Sequence, residues 1–112
     1  MSRTLHVFTF PEGLAKEVGY KSVGIVELTA DEQLQATKRC GQDAIRLAYE
    51  LAKESLRAVD GSTVGAADGS VDKVWAALNP KALNLVIRAY SDIHNPNVED
   101  VDSFLSSRTV KV

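Results

Sequence analysis

The residues able to do chemistry in this chain are few, and they stand apart. His6 and His94 are the only histidines and Cys40 is the only cysteine. No C-x-x-C or H-x-x-x-H spacing exists, so no zinc signature forms. Cys40, next to Gly41, has no base within its own segment to activate it, and it reads as a small, half-buried thiol. His94 falls near a helix C-terminus, where the dipole and the last carbonyls favour it. The stretch "DGSTVGAADGS" carries glycines and carboxylates. It lacks the Gly-Lys-Ser/Thr end of a phosphate loop and the alternating ligands and final Glu of a calcium loop, and it reads as a flexible connector. Glu99, Asp100 and Asp102 resemble paired carboxylates, yet acids at a helix start need no further explanation. These residues point away from an enzyme and imply no cofactor.

Composition narrows the choice further. The chain has 112 residues, 45% hydrophobic and 25% charged, with a formal charge of −2. That is enough for one domain with one modest core. Lys and Arg are dispersed, which argues against a nucleic-acid partner. A single cysteine fits a reducing compartment. No stretch approaches the length needed to span a bilayer, and the N-terminal apolar run is too short for a signal peptide. The expectation is a protein made and used in a cytoplasm.

The elements that must position these residues are legible by pattern. "TLHVFTF" alternates, with Leu5, Val7 and Thr9 on one side and His6, Phe8 and Phe10 on the other, and predicts a strand over about 4–10. Pro11 and Gly13 end it, and the connection that follows is undefined. "KSVGIVELT" predicts a second strand over 22–28, with Gly24 at a bulge. Thr29 and Glu32 form a capping box and open a helix running to about Cys40. Gly41 either kinks it or separates it from the next. That next helix is predicted through Val59, with Ile45, Ala48, Ala52, Leu56 and Val59 on its apolar stripe. Asp60-Gly61 suits a turn, and a small hairpin flanked by Val59 and Val64 is compatible with it.

Ser70 is expected to cap a short helix carrying Val71, Val74, Trp75 and Leu78. Asn79 caps the next, with Pro80 in its first turn. Leu83, Val86, Ile87 and Tyr90 form its core seam, and Asn95-Pro96 stops it. Asn97 caps an acidic helix with Val98, Val101, Phe104 and Leu105 on one side. "SSRTVKV" follows as a tail. The expected fold is α+β and mostly helical: an N-terminal strand pair, then four to five helices in a single domain over 1–112. Its segments are strands over 1–28, a helical segment over 29–59, a flexible loop over 60–70, C-terminal helices over 71–105 and a tail over 106–112. Trp75 and Tyr90 are aromatics of the type enriched in binding hot spots. With Ile93, Val98, Val101, Phe104 and Leu105 they are the candidate partner-binding residues.

The stretches "VELTADEQLQATKRCG", "LAYELAKESLRAVDG" and "VWAALNPKALNLVIRAYSDIHNPNVEDVDSFLSS" resemble tail assembly chaperones of long-tailed bacteriophages. The resemblance covers about residues 25–107. It lies in a strand leading to an L-T-A-x-[DE] helix start and in a Leu- and Ala-rich helix ending in V-D-G. A Trp-containing turn, an N-P-K helix reaching A-Y-x-x-I-H-x-P and an acidic helix ending in F-L complete it. The strand at 4–10 and the loop at 60–70 have no counterpart in that pattern. The resemblance implies a non-enzymatic factor of the host cell cytoplasm. Such a factor binds the tape measure protein, keeps it soluble, recruits tail tube subunits and leaves as the tube forms. Self-association is compatible with it. Two other readings stand beside it: a ring-forming structural protein of the tail or head-tail connector, and an unrelated cytosolic adaptor.

Overall fold

A computed structural model describes residues 3–111. It is an α+β fold, mostly helical. The elements are β1 (Leu5–Thr9), α1 (Glu12–Val18), β2 (Ser22–Val26), α2 (Ala30–Cys40), α3 (Ala44–Ser55), β3 (Leu56–Val59), β4 (Ser62–Thr63), α4 (Ser70–Ala77), α5 (Pro80–His94) and α6 (Val98–Ser106). The four strands form one antiparallel sheet in the order β1-β2-β3-β4. Five helices follow the first strand pair, and α1 lies between its strands.

The predicted alternation of β1 holds. His6 and Phe8 are half-buried and Phe10 is buried, while Leu5, Val7 and Thr9 face outward. Phe10, Val23, Ile25, Leu56 and Val59 bring the sheet to a core that α1, α3, α4 and α5 complete through Val18, Ala52, Val71, Val74, Ala82, Val86 and Tyr90. The predicted seam of α5 is therefore core: Val86 and Tyr90 are buried, and Leu83 and Ile87 pack against the same cluster. Burial of such side chains is what holds the helices on the sheet, at about 1.5–3 kcal/mol for each large one.

Three expectations are corrected. The undefined connection after β1 is helix α1, seven residues ending at Gly19, whose φ of 85° supplies the left-handed cap. The helical segment does not reach Val59. It ends at Ser55, and Leu56–Val59 continue directly as β3. Leu56 and Val59 are buried as expected, but as strand residues paired beside β2, across a register shift at Gly24/Ile25. Ile45, placed on the buried stripe, is exposed.

The loop over 60–70 is bonded rather than free. Asp60 and Gly61 both take positive φ, 51° and 82°, as a two-residue hairpin of the primed type requires. The Asp60 Oδ1 accepts from the Lys21 N–H at 2.7 Å and the Ser22 N–H at 2.9 Å, which pins the start of β2. Further on, the Ser70 hydroxyl donates to Asp68 at 2.6 Å and its Oγ accepts from the Gly65 N–H at 2.9 Å. Gly41, at φ 61°, separates α2 from α3, and Asp43 caps the latter through the Arg46 N–H. The caps expected at Thr29, Asn79 and Asn97 are all formed. The cap expected at Ser70 is not: Gly69 holds that position at φ 75°, and Ser70 is the first residue of α4.

Candidate functional site

Helix α6 is where the candidate residues gather. The Asn97 side chain accepts from the Asp100 N–H at 2.7 Å and starts the helix one residue after Pro96. Glu99 and Asp100 occupy its first turn, where the positive end of the dipole favours them. Val98, Val101, Phe104 and Leu105 follow at i, i+3, i+6 and i+7, so they share one face. In most proteins such a face is covered. Here no residue of α6 is buried. Val98 is 75% exposed, Phe104 76%, Leu105 64% and Val101 36%. The molecule measures 58 × 31 × 29 Å, which accommodates a helix standing off the core.

The other candidates lie elsewhere. Tyr90 is buried, and its hydroxyl accepts from the Gln33 Nε2 at 2.8 Å. Burial pushes its phenol above the ordinary 10.0, and the bond from Gln33 pulls the other way. Tyr90 is thus a core residue. Trp75 and Ile93 are half-buried against the same core. Four of the seven candidates therefore share one surface and three do not.

His94 has a specific role. Its Nε2 accepts from the Leu28 N–H at 2.8 Å, and its Nδ1 lies 2.7 Å from the Tyr90 carbonyl. A backbone N–H can only donate, so Nε2 is the bare nitrogen and Nδ1–H donates. The ring also stacks on Tyr90, with centroids 3.9 Å apart. These bonds fix the end of α5, from which α6 departs. The helix-terminus reading of His94 identified its place but not its partner on Leu28.

Glu32 has a comparable structural task. Burial pushes its carboxyl up, but the bond from the Thr29 N–H and the neighbouring Arg3 outweigh it and hold it below the ordinary 4.5. Arg3 lies 2.7 Å from one of its oxygens and Arg57 3.6 Å from the other.

A second feature was not legible in the pattern. A groove of about 470 Å³ runs between β1 and α5, with Phe8, Phe10 and Val23 on the sheet side and Leu85, Val86 and Ala89 on the helix side. Arg88 and Asp92 sit at its rim. These positions are far apart in sequence, and only the packing of α5 under the sheet assembles them.

Among the described residues, no three or more His, Cys, Asp or Glu side chains cluster to hold a metal. Cys40 is buried. No helix among the described residues is long and apolar enough to cross a membrane. The arrangement offers apolar surface and hydrogen-bonded supports, which suit binding. No protein-family model matches the chain, and no curated protein or solved structure matches it.

Proposed function

We propose that this protein is a tail assembly chaperone of a long-tailed bacteriophage or prophage, acting in the host cell cytoplasm. It binds the helical tape measure protein, keeps it soluble and recruits tail tube subunits. The observation that carries this reading is α6, a one-faced helix whose apolar residues touch no core. A helix of this kind meets another helix or a groove through anchors at helical spacing. The resemblance over residues 25–107 to tail assembly chaperones is what implies this partner. Two or three large apolar anchors give modest affinity once ordering costs are met, which suits a partner that must later be released.

The test is co-expression with a tape measure protein, followed by size-exclusion chromatography with light scattering. The reading expects that protein to become soluble and to co-elute with many copies of this chain. A partner that stays insoluble with this chain present would contradict the reading, whether or not this chain self-associates.

A further inference from the structure

We propose that residues 108–111 of a second copy of this chain add as a strand to the free edge of β1, with Val110 seated in the groove between β1 and α5. The proposal does not rest on the chaperone reading. It begins from the sheet. Among the described residues β1 is the outermost strand, paired on one side only. The Phe10 N–H donates to the Lys21 carbonyl at 2.8 Å. Antiparallel pairing alternates, so His6, Phe8 and Phe10 turn their backbone groups to β2, whereas Leu5, Val7 and Thr9 turn theirs to the open edge. Edges left open in solution are usually shortened, bulged or blunted by Lys or Pro. The opposite edge, β4, has two residues. β1 has five, LHVFT, with no Lys, no Pro and no bulge.

The groove adjoins this strand, with Phe8 and Phe10 contributed from the sheet side and Leu85, Val86 and Ala89 from the helix side. A strand laid on β1 would direct alternate side chains into it. The tail has the matching pattern. Arg108 and Val110 fall on one face, Thr109 and Lys111 on the other, and β-branched residues dominate its middle. Residues 108–111 belong to no helix or strand, and Val110 is 71% exposed.

Charge supplies the register. With Val110 in the groove, Arg108 lies on the same face about 7 Å away. Asp92, on the rim, forms no ion pair among the described residues. Arg88 lies one turn back on the same rim and repels Arg108 from that end. The tail therefore runs with Arg108 toward Asp92. α6 has no buried residue and carries the tail about 13 Å beyond Asn97, at about 1.5 Å per residue. A tail so placed is presented to another copy. The contact is head to tail, so it joins copies into rings or short chains and displays several α6 helices side by side.

The test is analytical ultracentrifugation of the full chain across a concentration series. The wild type is expected to self-associate reversibly. Val110→Asp should abolish this, and because Val110 is exposed and outside every element, a folding defect is not an alternative cause. Val7→Pro should abolish it too, since that N–H faces the open edge and β1–β2 bonds survive. Asp92→Arg should weaken association by about tenfold, the scale of one close charge pair, and Asp92→Arg combined with Arg108→Asp should restore it. A monomer at every concentration would overturn the proposal, as would oligomers indifferent to Val110→Asp. A monomer whose tail amides resist hydrogen exchange would show capture by its own β1 and would overturn the assignment to a second copy.

Discussion

His94 and Leu28 are 66 residues apart, yet the ring nitrogen of one accepts the backbone N–H of the other at 2.8 Å. That bond ties the end of α5 to the exit of β2. It is partly buried, so the Leu28 donor has no easy substitute in water. His94→Phe keeps a ring to stack on Tyr90 but leaves the Leu28 N–H unpaired. The expected cost is about 1–3 kcal/mol, read from the midpoint of urea unfolding with an unchanged slope. A variant as stable as the wild type would show that the bond contributes nothing.

A side chain at Gly24 would crowd its neighbours on the sheet. A Cβ there would stand 2.9 Å from the Leu5 Cδ1 and 3.0 Å from the Ala58 Cβ. Leu5 is a partly exposed side chain that can swing away, whereas Ala58 is fixed on the neighbouring strand. Gly24→Val should therefore cost about 1–3 kcal/mol by overpacking. Leu5→Ala should recover part of that loss and not all of it. Full recovery in the double variant, by thermal unfolding, would place the whole clash on Leu5.

Much of this architecture was readable locally. Thr29, Asn79 and Asn97 declared their helices because a cap is a contact within three residues. The alternation of β1 and the Asp60-Gly61 turn were equally local. Leu56 and Val59 misled because a spacing of three fits a helical stripe and not one face of a regular strand, and only the register shift against Gly24/Ile25 brings both into the core from β3. Helix α1 was hidden because it has two turns and contains Gly13. The exposed face of α6 was read as apolar from its spacing, but spacing is silent on whether a face is covered. The groove beside β1 joins Phe8 to Ala89, and nothing in either neighbourhood announces the other.

Glu32 links acid stability to the start of α2. Its carboxyl is held below the ordinary 4.5. The folded state therefore binds this proton less readily than the unfolded chain does. The contribution is fully present above that ordinary value and is lost as the pH falls through the depressed one. Glu32→Gln should unfold more readily than the wild type near neutrality, and the gap should narrow below about pH 4. Denaturant midpoints across an acid series check this. A gap that stays constant to the lowest pH would remove the carboxylate from the account.

Thr29→Ala removes the other half of the same capping box. The Glu32 N–H, now bonded to the Thr29 Oγ1 at 3.2 Å, loses its acceptor. A loss of about 1 kcal/mol is expected, together with faster hydrogen exchange in the first turn of α2. Unchanged exchange there would contradict the cap as a stabilising contact.

Partner binding is proposed for α6, and a paired substitution on its exposed face tests this most directly. Phe104→Asp with Leu105→Asp alters two side chains that touch no core, so the unfolding midpoint should match the wild type within about 0.5 kcal/mol. The measurement is the amount of soluble tape measure protein recovered when each form of the chain is co-expressed with it. The account predicts abundant soluble partner with the wild type and a loss of it with the variant. Equal recovery with both forms would contradict α6 as the surface that binds the partner.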